Sequence, residues 1–346
     1  MFGFFLCFAA VFLAFVVRHG FRLRRIRNAL RKRKEQDDAI VDAYFQNGEP
    51  PDQCRYCGVK LSHASSNEEL VTLLVENGVL RPELADVFRK VDRGLFLRDI
   101  PAADLPFPGR GLYLDCAYAV GCNAQISAPH IHALTLGLLA QPLHDPTHML
   151  GQRLQRDGDI SILDVGSGTG FVTACLSVLG GEKCTVIGKE HMPELVKMSR
   201  GSVLAIPHCR RMTKLGKLRI VVGDGRDCSC PETKGKQFDL IHCGASVESV
   251  SKEMLQLLRP GGRLVIPVGS QFASDQVITT VDRSEDGASF HTESHFGIRV
   301  RYIPLTARES QSDDAQVRFE GESDDEGVTG SVGETYKLNR DTKKNR

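Results

Sequence analysis

The sequence predicts an α/β fold built on a doubly wound, mostly parallel sheet of seven strands, and three observations predict it. Apolar strand-like runs alternate with helix-length segments between residues 160 and 270. The first of these runs, ISILDV, ends in a glycine-rich turn that opens an apolar helix. The last two apolar runs, QVITTVD and 289–305, have no helix-length segment between them, so they close the sheet as an antiparallel pair.

The elements follow in order. Ser66 and Glu69 make a capping box in front of LVTLLVENG, and Gly78 stops that helix. Pro82 suits the first turn of a second helix, along which Leu84, Val87, Phe88 and Val91 recur at helical spacing. Residues 60–110 therefore read as a small helical cap in front of the sheet. Pro129 starts a further helix that runs on through the leucines behind it. Strands are expected at 160–165, 185–190, 218–222, from 238 and from 263, with helices at 170–179, 192–204 and 250–258 between most of them. There is no internal repeat.

The glycines of the turn stand at 166, 168 and 170, with Phe171 where a dinucleotide fingerprint needs its third glycine. There is also no GK[ST] to cradle a triphosphate. GxGxG after a strand ending in Asp164 suits S-adenosylmethionine, whose methionine portion can sit on the exposed backbone of such a turn. The acid that would hold ribose hydroxyls is Glu190, at the end of TVIGKE. Asp224 and Gly225 end LRIVVGDGR and are placed for the adenine amino group. An isolated glycine pair would signify only a tight turn; three strand ends in this order line one crevice.

With 346 residues, 41% hydrophobic and 25% charged, the chain can bury one good core with appendages. The net charge of +1 suggests no polyanionic partner, but it averages three unlike regions. The first seventeen residues carry no charge, and Arg or Lys fills nine positions from Arg18 to Lys34 without an acid. This pattern reads as a membrane-anchor helix over residues 1–17, with the basic segment 18–57 and everything after it on the cytosolic side. A targeting sequence is the alternative; without the anchor the chain would be cytoplasmic. Residues 312–346 are charged and poor in apolar residues, seven acids falling between 313 and 326, and read as a disordered tail. Eleven scattered cysteines are not a disulfide framework. Cys54 and Cys57 form CxxC with His63 nearby, but no second CxxC follows. The preferred reading is a solvated linker with two free thiols and no metal.

The stretches NEELVTLLVENGVL, NAQISAPHIHA, ILDVGSGTGFVTA, VVGDGR, LRPGGRLVIPVG and YIPLTARESQ resemble, in order, the protein-L-isoaspartate (D-aspartate) O-methyltransferase family, over residues 58–311. The glycine turn and LRPGGRL are generic to class I methyltransferases, which share a Rossmann-like core, here expected at 159–270. ISAPH ahead of the turn is far more specific. The resemblance implies methyl transfer from S-adenosylmethionine to the free α-carboxyl of isoaspartyl residues in damaged proteins. The ester then closes to a succinimide whose hydrolysis partly restores aspartate.

On that resemblance Ser127 is the active-site residue, a positioner of substrate carboxylate or cofactor, and His130 is its catalytic companion. Without the resemblance, Ser127 would read as a helix cap beside Pro129. Asp164, Gly166, Ser167, Gly168 and Gly170 would form the methionine end of the cofactor site, Glu190 and His191 the ribose end, and Asp224 and Gly225 the adenine end. Thr306 and Gln311 match late positions that close over the cofactor. The chain departs from the family at Cys122, where an aromatic is usual, and at Gln125, where threonine is usual. Glu190 replaces an aspartate but keeps the carboxylate.

Competing readings are a same-fold carboxyl methyltransferase with another acceptor, and a non-catalytic cofactor-binding adaptor. A dehydrogenase is disfavoured by Phe171. A nucleic-acid methyltransferase is disfavoured by the lack of an NPPY-like motif, of tryptophan and of a basic aromatic groove. Partners are therefore isoaspartyl proteins and, through residues 1–34, a membrane, but no nucleic acid. The family pattern suggests a monomer.

Overall fold

The computed structural model describes residues 52–311 apart from 55, 99, 101–110, 157 and 271–275. The anchor and tail expectations fall outside the described residues. Among the described residues, no helix is long and apolar enough to cross a membrane. The compact unit begins at Asp52, so the CxxC belongs to it.

Helix α1 (Asn67–Glu76) starts at Ser66, whose hydroxyl accepts from the Glu69 amide at 3.2 Å. The reciprocal half of the expected capping box goes one residue further back: the Ser65 amide and hydroxyl donate to the Glu69 carboxylate. Gly78, with φ +70°, ends the helix by letting the chain turn back so that the Val79 and Leu80 amides reach the Leu74 carbonyl. The expected second helix is a short 3₁₀ turn (Pro82–Leu84) running into α2 (Ala85–Lys90). Strands β1 (Tyr118–Gly121) and β2 (Ala124–Ile126) then form a two-stranded antiparallel hairpin with no counterpart in the sequence reading. Its turn is made by Cys122 and Asn123, both with positive φ.

The main sheet carries strands β3 (Ile160–Val165), β4 (Cys184–Glu190), β5 (Leu218–Val222), β6 (Phe238–Cys243), β7 (Leu258–Val268), β8 (Gln276–Arg283) and β9 (Phe290–Val300), in the order β5-β4-β3-β6-β7-β8-β9. The first five are parallel, and β8 and β9 add antiparallel, as the missing crossover helices require. Helices α3 (Pro129–His144), α4 (Met149–Gln155), α5 (Phe171–Gly180), α6 (Pro193–Ala205), α7 (Pro207–Lys214) and α8 (Lys252–Gln256) flank it. The expected helix over 250–258 is cut to five residues because Leu258 already pairs with Phe238, so LRPGG belongs to β7. Every residue of β6 is buried, as befits a strand in the middle of a doubly covered sheet.

Strand order reverses between β3, which continues toward β4 and β5, and β6, which continues the other way. Ligands bind outside the carboxyl ends of strands at such a switch point. Phe171 roots the cap beside it. Its ring meets Phe88 of α2 and Phe96 edge-on at 5.9 and 5.4 Å and stacks on His132 of α3 at 4.7 Å. The residue that breaks the dinucleotide pattern is thus a core contact between cap and sheet.

Candidate active site

Strand β3 delivers the chain into the turn at Gly166, and three positive φ angles at 166, 168 and 170 carry it into α5. The amides of Gly166 and Ser167 donate to the Lys189 carbonyl at 2.8 and 3.1 Å, fastening the turn to the end of β4. Glu190 fastens it again: one carboxylate oxygen accepts from the Gly168 amide and the other from the Met192 amide, both at 3.0 Å. Each oxygen keeps a further acceptor position, so a ribose hydroxyl and the turn can share this side chain. A Cβ on Gly168 would meet nothing within 4 Å, so the turn presents bare backbone to open space there.

Asp164 does not face that space. It is fully buried; the Thr173 hydroxyl donates to Oδ2 at 2.5 Å and the His242 ring to Oδ1 at 2.8 Å. Its place is under the turn, tying β3 to β6 and α5, and it is not among the residues that line the crevice. Gly244, just past His242, is also required: a Cβ there would lie 2.6 Å from the Gly166 carbonyl oxygen.

Gly166, Gly168, Glu190, His191, Gly225, Thr306 and Gln311 line one crevice, joined by Gln125, Lys189, Ala245 and Leu305. Seven of the sequence-selected positions therefore meet where the sheet topology places a ligand. The 302–306 segment closes the crevice by running beside residue 246: the Ser246 amide donates to the Ile303 carbonyl and the Leu305 amide to the Ser246 carbonyl. Gln276, fully buried, anchors it by accepting from the Tyr302 amide at 2.6 Å and donating to the Tyr302 carbonyl. Helix α9 (Arg308–Gln311) then brings Gln311 to His191.

Asp224 sits at the end of β5 but is gripped by Arg226, whose amide and guanidinium donate to it. The Arg226 hydrogen bond holds its carboxyl below the ordinary value. Ser167 is buried, and Gly170 packs on Val203, Ser199 and Ile220, so both shape the turn from behind. Ser127 follows β2 and stands beside the phenol of Tyr302, whose pKa it lowers against the larger effect of burial. His130 is drawn away from the crevice lining. Its amide and Nδ1 donate to Asp115 at 2.9 and 2.7 Å, and its ring stands beside Cys54 and Cys57. Burial alone would lower this imidazole, but the hydrogen bonds to Asp115 and toward Cys54 raise it to about 9.

Sequence reasoning missed His242, Gly244, Gln276, Tyr302 and Asp115. Gly244 and His242 lay inside an expected strand, FDLIHCGAS, where only its end at the switch point could have singled them out.

A doubly wound sheet with a GxGxG turn, an acid at the end of the next strand and a crevice at the switch point defines a Rossmann-like methyltransferase. The same fold is found in a solved structure from Plasmodium falciparum, described as a protein-L-isoaspartate O-methyltransferase in complex with S-adenosyl-L-homocysteine. The TM-score is 0.55 at 23% identity, over 70% of this chain and 99% of that one. The family model for protein-L-isoaspartate(D-aspartate) O-methyltransferase matches residues 65–310, and the chain belongs to that family. Protein-L-isoaspartate O-methyltransferase 1 of Arabidopsis thaliana is 38% identical over 252 residues, covering 72% of this chain and 95% of the relative. Protein-L-isoaspartate O-methyltransferase of Caenorhabditis elegans is 34% identical over 251 residues, covering 72% of this chain and 96% of the relative.

Proposed function

We propose that this protein transfers the methyl group of S-adenosylmethionine to the free α-carboxyl of L-isoaspartyl and D-aspartyl residues in damaged proteins, the first step of repair through a succinimide. The observation that carries the reading is the meeting of two motifs. β2, the strand leading into ISAPH, supplies Ala124 and Gln125 to the crevice lined by Gly166 and Gly168 of the glycine turn. The bare backbone at Gly168, the acceptor positions left on Glu190 and the Gln311 strap fit a nucleoside carrying an amino-acid tail.

S-adenosylmethionine supplies a methyl group already activated on a sulfonium. The substrate carboxylate is ionised at neutral pH, so the chain need provide no strong base. A carboxylate oxygen takes the methyl carbon as the carbon–sulfur bond breaks, leaving a neutral ester and a thioether with no proton transferred. The chain's task is alignment and exclusion of water. Ser127, steadied by Tyr302, orients the carboxylate; Glu190, His191, Gly225, Thr306 and Gln311 hold the nucleoside; Asp164, through Thr173 and His242, holds the turn in shape. Residues 1–34 are read as a membrane anchor with the enzyme facing the cytosol. The support is the uncharged run followed by nine basic residues, and resistance of the full chain to alkaline extraction from membranes tests it.

The test of activity is methyl transfer from labelled S-adenosylmethionine to an isoaspartyl peptide, beside its aspartyl twin and a Ser127→Ala variant. Base-labile label on the isoaspartyl peptide alone, reduced in the variant, is the expected result. Cofactor binding without labelling of either peptide would move the assignment to another acceptor or to an adaptor.

A further inference from the structure

The CxxC does not form the solvated linker expected of it. Residues 52–61 make a small hairpin: Gln53 bridges Lys60, the Cys54 amide donates to the Val59 carbonyl at 2.8 Å, and the Gly58 amide to the Cys54 carbonyl at 2.7 Å. Gly58, with φ +68°, makes the turn possible.

The third member comes from α3, over seventy positions away. One ligating atom each from Cys54, Cys57 and His130 lies within 4.8 Å of the others. Asp115, itself 1% exposed, holds His130 by both its amide and Nδ1, and takes the Ser62 amide on its second oxygen. With Nδ1 engaged by Asp115, Nε2 is the ring atom left to face the two sulfurs. That atom is buried and makes no hydrogen bond of ordinary geometry. A carboxylate behind a histidine, fixing its tautomer and aiming its other nitrogen at sulfur ligands, is the outer arrangement metal sites use.

We propose that Cys54 Sγ, Cys57 Sγ and His130 Nε2 bind one Zn²⁺, with a fourth position left to solvent or an external ligand. Two thiolates and an imidazole are the donor set a tetrahedral zinc takes, and C-x₂-C is its usual spacing. The two thiolates neutralise the ion, so a partly buried site carries no net charge. Binding displaces the protons carried by the two thiols and by His130 Nε2 to solvent, and breaks no other covalent bond. The metal would clamp the 52–61 hairpin to the first turn of α3, three residues beyond Ser127. The histidine of ISAPH thereby becomes a positioning residue for that segment.

The test uses the full chain in detergent, purified under reducing conditions without chelator. Elemental analysis should find about one zinc per chain. Titrating the stripped protein with Co²⁺ should give the near-ultraviolet thiolate-to-cobalt band together with the visible bands of tetrahedral cobalt. Cys54→Ser combined with Cys57→Ser should abolish both. Asp115→Asn, which keeps all three ligands, should weaken the affinity by about 10–100-fold. Because the cobalt spectrum is read on unmutated protein, misfolding of a variant cannot decide the matter. Fully reduced protein that shows no thiolate band with Co²⁺, Co²⁺ binding that survives the double substitution, or a Cys54–Cys57 disulfide in protein kept under nitrogen would overturn the site.

Discussion

His191 Nε2 donates to the side-chain oxygen of Gln311 at 2.7 Å, joining residues 120 positions apart. Gln311 in turn donates to the Cys122 carbonyl and receives the Asn123 amide group on its own carbonyl. One side chain therefore links the end of β4, the β1–β2 turn and the last described helix above the crevice.

Gln311→Ala should act on cofactor binding and leave folding nearly untouched, because the groups it frees are partly exposed and can turn to water. Losing one such net hydrogen bond is worth about 0.5–1.5 kcal/mol, or roughly 2–12-fold in Kd for S-adenosylmethionine. Isothermal titration beside a melting curve checks this. An unchanged Kd would show that the strap closes the crevice without helping to hold its contents.

Gly168→Ala separates conformation from crowding. The φ of +51° costs an L-residue roughly 1–2 kcal/mol, while the added methyl meets no protein atom within 4 Å. The variant should fold with Tm lower by about 2–8 °C and bind the cofactor much more weakly, since the methyl enters the space the cofactor needs. Gly244→Ala makes the contrast. Its Cβ would press on the Gly166 carbonyl from the protein side, so stability and binding should fall together.

The sequence exposed what local spacing encodes and concealed what long-range pairing creates. The glycine turn, Glu190 and the alternation of strands were readable because each is fixed by its neighbours within a turn or two. Asp164 was readable as a strand end but not in its role, because its partner His242 lies 78 positions away and leaves no periodic trace. The β1–β2 hairpin escaped because strands of four and three residues are too short to show an alternation. The helix expected over 250–258 ends early because an irregularity in the β6–β7 pairing, between Phe238 and Leu240, lets β7 begin at Leu258 and accept Pro260 and Gly261. His63 stands near the CxxC in sequence, whereas the fold brings His130 to it.

Asp164→Ala should destabilise strongly without touching any crevice surface. Removing a fully buried carboxylate strands the His242 ring and the Thr173 hydroxyl, and loss of one member of such a buried pair costs about 3–5 kcal/mol. Denaturant unfolding should show a lower midpoint with an unchanged slope. Asp164→Asn, which keeps the shape and one acceptor, should recover part of the loss. Equal destabilisation by both would show that charge, not hydrogen bonding, is what the site requires.

Tyr302→Phe should change how stability responds to alkali. Burial pushes the Tyr302 phenol up to about 12, against an ordinary value of 10, with Ser127 only partly offsetting it. Between those two values the folded protein keeps a proton that the unfolded chain gives up. The folded state then binds more protons, and stability falls as pH rises through 10 until the folded phenol itself ionises near 12. Phenylalanine cannot titrate, so the variant's unfolding free energy should decline less steeply from pH 9.5 to 11 than that of the unmutated protein, in parallel denaturant titrations. At pH 7 the phenol is neutral in both states and the slope should be the same for both proteins. What changes there is Ser127, which loses its partner. Methyl transfer at neutral pH should weaken by roughly 2–12-fold in kcat/KM, the worth of one neutral hydrogen bond. Identical alkaline slopes would mean that the phenol is open to solvent in the native protein, and would remove Tyr302 as the support of Ser127.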